Sequence, residues 1–153
     1  MTRDSDYRCA VAGPMDKVPR EGPYSGQQGT TMRIEMARGE YEGAQIVVEA
    51  ADRELRGLRA EVSDLRAPEG TIPASCVTVR QVGYVRTVEC RHYPQGRIGW
   101  WPDPLLELPE VDVPKGKVQP LWVTVYAPRD ASPGEYRGAI TLHAQGAAPM
   151  MIE

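Results

Sequence analysis

Glycine and proline punctuate this chain at short intervals, and that spacing decides what it can fold into. The 153 residues hold 15 glycines and 14 prolines. Between them lie runs of about five to ten residues, many alternating apolar with polar. No segment sustains the 3.6-residue periodicity of an amphipathic helix. Short alternating runs divided by turn formers predict an all-β protein. A chain this long buries roughly two-thirds of its unfolded surface and holds a core without staples.

Individual runs support that class. Thr31 to Met36 alternates strictly, with Met32, Ile34 and Met36 on one face, and Arg38-Gly39-Glu40 follows as a turn. Tyr41 to Ala50 reads as a strand, central where Ile46, Val47 and Val48 run together. Leu58 to Leu65 is a weaker strand, and Asp52 to Arg56 suits a single helical turn. Val77 to Val88 is long, with Gly83 marking a bulge or a change of sheet. In Val118 to Tyr126 the Leu121, Val123, Val125 face opposes a Trp122, Thr124, Tyr126 face, so both faces are expected to be covered. Pro133-Gly134 suits a type II turn before an alternating strand to Leu142. The expected architecture is an antiparallel β-sandwich, immunoglobulin-like or galactose-binding-like, forming a single domain over residues 1–153. Pro149 to Glu153 reads as a strand just beginning, which predicts that the chain is cut from something longer, or that an open sheet edge is free to join another copy.

Composition narrows the partners. Lys+Arg (18) and Asp+Glu (21) are interspersed, leaving a net charge of −3 and no basic stripe for nucleic acid. A hydrophobic content of 41% and a mean hydropathy of −0.44 suit a globular chain. No apolar run reaches the length of a membrane span, and the polar start Met1 to Asp6 shows no secretory leader. Cys9, Cys76 and Cys90 are odd in number and widely spaced. They read as buried or half-buried thiols, or as one disulfide and one free thiol, not as a disulfide framework or metal site. No cofactor is implied.

The candidate functional residues cluster around Trp100-Trp101-Pro102-Asp103-Pro104. Pro-Asp-Pro fits neither a regular helix nor a central strand, so a stiff loop carrying two indoles is expected. With Tyr93, Arg97 and Asp103 nearby, the indoles could plug the sandwich edge, contact another domain, or offer a ring face to a sugar whose hydroxyls the charged groups bind. Trp122 and Tyr136 read as structural. Catalysis has less support. Asp103 with Glu107, and Asp130 with Glu135, lack the apolar pocket and defined spacing of an acid–base pair. His92 beside Cys90 and the distant His143 do not make a tetrahedral metal site. No nucleophile elbow, phosphate loop or dinucleotide fingerprint occurs.

Several of these stretches together resemble one family. Arg38-Gly39-Glu40-Tyr41-Glu42-Gly43-Ala44-Gln45 resembles the Gly-Glu-x-Glu-x-x-Gln signature of the N-terminal β-sandwich of glycoside hydrolase family 123 and its relatives. The resemblance continues through Val79 to Val85, Trp101 to Leu105, Gln119 to Val125 and Pro133 to Gly138, and covers nearly the whole chain. It implies a downstream (β/α)₈ barrel. In family 123 enzymes that barrel carries an Asp–Glu pair and removes β-linked N-acetylgalactosamine by substrate-assisted catalysis. Nothing of that barrel is in these residues, so no catalytic residue carries over. The resemblance implies a non-catalytic accessory domain that braces a catalytic domain of the same polypeptide, in a secreted or cell-surface protein.

Overall fold

The computed structural model describes residues 7–89 and 98–153. Among the described residues eleven strands form: β1 Arg8–Ala12, β2 Tyr41–Glu49, β3 Leu55–Val62, β4 Leu65–Ala67, β5 Gly70–Ile72, β6 Val77–Thr87, β7 Gly99–Leu106, β8 Val111–Val113, β9 Val118–Tyr126, β10 Ile140–His143 and β11 Met150–Ile152. All the pairings are antiparallel. One sheet has the order β1-β2-β9-β6-β7, a second β11-β10-β3-β8, and β4-β5 form a separate hairpin. The expected antiparallel β-sandwich is therefore present.

The period-two pattern of the sequence sorts side chains between the layers. Ile46 and Val48 of β2 and Leu121, Val123 and Val125 of β9 point inward. They meet Leu55 and Leu58 of β3, Ile140 and Leu142 of β10 and Ile152 of β11. Most of these side chains are fully buried, and burying each stabilises the fold by about 1.5–3 kcal/mol relative to exposure. Tyr7 is buried at the seam, its hydroxyl donating to the Ala148 carbonyl at 3.2 Å. A second, smaller core lies on the outer face of the five-stranded sheet. There Val47, Val118, Ala10 and Ala12 are covered by Val18 and Tyr24 from the loop over residues 13–29.

Several expectations are corrected. Thr31 to Met36 is extended and keeps the expected alternation of burial, but it forms no ladder. Its backbone engages the other chain end instead: the Met32 amide donates to the Glu153 carbonyl, and the Glu153 amide to Thr30. No helical turn forms at 52–56, because Leu55 is drawn into the core as the first residue of β3. The strand after Pro133-Gly134 begins only at Ile140. Before it the chain only bridges Arg66 at Arg137, and Gly138 passes so close to β4 that a Cβ there would stand 2.6 Å from Leu65 Cδ2 and 2.8 Å from the Asp64 carbonyl. Gly134 has φ 159°, away from the roughly +80° of a type II turn. Cys9 and Cys76 are both free thiols, and Cys90 lies outside the described residues.

Trp100 to Leu106 is not the expected loop. It is the edge strand β7, and the prolines are accommodated by two devices. An edge strand needs only one row of backbone hydrogen bonds. In addition the register with β6 shifts: Val82 faces Leu105 and Tyr84 faces Pro102, so Asp103 and Pro104 together oppose Gly83. The expected bulge is thus at Gly83, with the extra residue on β7. The other edges are also occupied or short. Gly29 donates to the Cys9 carbonyl along β1, β11 meets Thr30 and Met32 at Glu153, and β8 has three residues.

Candidate functional site

Alternation on the five-stranded sheet brings Gln45 of β2, Trp122 of β9 and Val82 of β6 to its outer face. Gln45 pairs directly with Trp122 in the register. The Gln45 amide nitrogen donates to the Gly13 carbonyl at 2.8 Å and to the Asp16 carbonyl at 2.9 Å. That buried side chain therefore pins the start of the covering loop over the sheet. Asp16 tightens the same turn, its carboxylate accepting the Gly13 amide at 2.7 Å.

Trp122 lies flat because Gly43 leaves room. A Cβ on Gly43 would stand 3.0 Å from the indole Cζ2 and 3.3 Å from Cε2 and Nε1. The indole therefore packs over Gly43 of β2, and its half-buried side chain also lines the cleft described next. The indole N–H is satisfied internally by Thr124 Oγ1 at 3.1 Å. Further along the same face Tyr41 and Tyr126 stack, with centroids 4.5 Å apart, and Tyr41 is 69% exposed.

A cleft of about 210 Å³ opens between these parts. Gln45, Val82 and Trp122 line its floor. Asp16 and Lys17 line one side, and Pro102, Asp103 and Leu105 of β7 the other. Asp103 reaches it because the bulge turns the extra residue of β7 outward. Beside the cleft the Tyr84 hydroxyl donates to the Val18 carbonyl at 3.1 Å, and burial pushes this phenol above its ordinary range.

The structure divides the residues singled out from sequence. Trp100 is 44% exposed, with the Arg20 guanidinium 5.1 Å above its ring. Trp101 pairs with Val85, one position along the strand, and faces the opposite side of the sheet. The two indoles therefore do not form one platform, and Asp103 belongs to the cleft. Tyr93 and Arg97, with Cys90 and His92, lie outside the described residues. The carboxylate pairs are engaged elsewhere: Arg80 binds Glu107 at 2.9 Å, and Arg137 binds Glu135 at 2.8 Å. His143 stands 3.3 Å from the Glu61 carboxylate. Among the described residues no three His, Cys, Asp or Glu side chains gather to hold a metal.

Sequence reasoning passed over Trp122, Gly43 and Gln45 as a unit. The available signal was a glycine two residues before a glutamine that itself opens onto the apolar run Ile46-Val47-Val48. Its meaning needs the β2–β9 register, which places the tryptophan against both. The Gly39 to Gln45 stretch is thereby explained in physical terms. Gly39 takes φ +83° in the turn, Glu40 caps the Ala37 amide at 2.8 Å, Gly43 seats the indole, and Gln45 holds the loop.

A two-layer antiparallel sandwich with a small cleft on the outer face of its five-stranded sheet defines an all-β domain. Residues 19–144 match the glycoside hydrolase 123 N-terminal domain, and the chain belongs to that family. Among curated proteins, none matches the sequence. A solved structure with the same fold is that of a family 123 glycoside hydrolase from Clostridium perfringens, described in terms of glycolipid glycan hydrolysis. It superposes with a TM-score of 0.83 at 17% identity over 95% of this chain. This chain spans 26% of that one.

Proposed function

We propose that this chain is a non-catalytic accessory domain that packs against a larger catalytic domain of the same polypeptide, in a secreted or cell-surface protein that processes glycans. The (β/α)₈ barrel implied by the family resemblance is the partner we assign. The observation that carries the reading is a concentration of exposed apolar side chains on and around the edge strand β7. Most exposed large apolar side chains among the described residues fall between Val85 and Leu108, including Val88, Ile98, Trp100 and Leu105. Contiguous exposed apolar surface marks an interaction site. Pro102 and Pro104 remove backbone donors from β7, so this contact forms through side chains and not by strand addition.

The test has two parts. The intact mass of the native gene product should be several times 16.9 kDa. Hydrogen exchange at β7 should then be slower in the intact protein than in residues 1–153 alone. A native mass near that of this chain, or equal exchange in both forms, overturns the proposal. Direct contact with glycan is a second reading, favoured by the Trp122 indole that lines the cleft. Self-assembly through the last strand is less well supported, since Glu153 already bonds Thr30 and Met32.

A further inference from the structure

We infer that the outer face of the five-stranded sheet is a binding site for a neutral oligosaccharide of β-linked pyranoses, with Trp122 as its platform and Asp103 as its main polar contact. The inference deepens the glycan reading above and moves it away from Trp100 and Trp101.

The platform is preorganised. Gly43 lets the indole lie against the backbone, and Thr124 satisfies its N–H, so no rotamer has to be ordered when a ligand arrives. A pyranose with equatorial substituents presents axial C–H groups on its ring face, and these suit the exposed face of an indole. The cleft supplies the rest. The Asp103 and Asp16 carboxylates accept from sugar hydroxyls, and the Lys17 ammonium donates to them. Asp103 and Lys17 form no ion pair or side-chain hydrogen bond within the described residues. Two carboxylates against one ammonium disfavour acidic sugars by like-charge repulsion, which makes the expected ligand neutral.

Size sets the ligand length. At about 210 Å³ the cleft is smaller than the roughly 300–1,000 Å³ of a small-molecule pocket, so it accepts one ring. Further rings have a path across the sheet. Tyr126 lies four residues beyond Trp122 on β9, about 13 Å away along the strand, and stacks with the exposed Tyr41. The aromatic row Trp122 to Tyr41–Tyr126 therefore follows the direction in which a flat, linear chain of sugars would extend.

The experiment is an NMR titration of the isotope-labelled 153-residue chain with cellotetraose, with glucose and a tetragalacturonate as controls. The Trp122 indole N–H and the Gln45 side-chain amide should shift saturably at millimolar cellotetraose. Glucose and the acidic tetramer should bind about tenfold more weakly or worse. Trp122→Ala should abolish the shifts at Gln45. Because that change can disturb the sheet, Asp103→Asn at the exposed bulge serves as the second variant and should weaken binding about tenfold. The proposal is overturned if cellotetraose leaves both reporters unmoved, or if its shifts centre on Trp100 and Trp101. It also fails if Asp103→Asn binds like the parent, or if a proline-rich peptide saturates the face and the sugar does not. A chain that fails this test while β7 is protected in the intact protein leaves the accessory-domain proposal standing.

Discussion

Gly83 and Pro104 face each other across the β6–β7 bulge so closely that a Cβ on Gly83 would stand 2.9 Å from the proline Cγ. Leu106 Cδ1 would be 3.1 Å away. A proline ring cannot rotate aside, so Gly83→Ala has to push β7 outward. The expected loss is about 1–3 kcal/mol, the range for overpacking a formed site. Urea unfolding of parent and variant measures it. An unchanged midpoint would mean that β7 is not held in this register.

Gln45→Leu keeps the shape of the side chain and deletes both donors. The Gly13 and Asp16 carbonyls then lose a partner that reaches them from a buried position. Water can reach the exposed loop, so the cost is expected near the low end for a lost hydrogen bond, about 1 kcal/mol each. The local effect should be larger than the global one, with amide exchange over residues 13–18 rising more than in β9.

Cys9 gives a pH prediction. Burial pushes its thiol up to about 12 from an ordinary value of 9.0. In the unfolded chain the thiol ionises first as pH rises, so above about pH 9 the unfolded state binds fewer protons than the folded one. Stability linked to Cys9 is fully present below that pH and falls between about 9 and 12, by about 1.4 kcal/mol per unit within the window. Tyr84 adds to the fall only above its own unfolded value near 10. Cys9→Ala should remove the slope that begins near pH 9, as read by urea unfolding between pH 8 and pH 10 (roughly the onset of thiol ionisation). The native Cys9 should also resist alkylation at neutral pH, while the half-buried Cys76 reacts first.

The layers of this fold were legible in the sequence because a buried sheet face writes itself as a period of two. Val118 to Tyr126 was read with its bounds and both faces intact. What local pattern could not supply was pairing. Thr31 to Met36 alternates as well as any strand, yet among the described residues its backbone meets only Glu153. Trp100 to Leu106 reads as a loop because prolines forbid a central strand, and only its place at the edge opposite Gly83 makes it a strand. The candidate site was half legible for the same reason. Asp103 was picked out from its neighbours in sequence, whereas Trp122 acquires its role from Gly43 and Gln45, about 80 residues away in the chain and adjacent only through an antiparallel register.

Gly43→Ala separates the platform from the stability of the sheet. The new Cβ would stand 3.0 Å from Trp122 Cζ2, but here the neighbour is a half-exposed indole and not a proline wedged in a bulge. The ring can lift by a few tenths of an ångström. Replacing a strand glycine by alanine also recovers about 0.5–1 kcal/mol of backbone entropy. The two effects offset, so unfolding stability should stay within about 1 kcal/mol of the parent, in contrast to Gly83→Ala. The indole, however, no longer lies flat against β2. Its N–H resonance should move as the bond to Thr124 lengthens, and cellotetraose should bind more weakly with little loss of stability. A variant that binds as the parent does while the Trp122 resonance moves would show that the flat seat of the indole has no part in recognition.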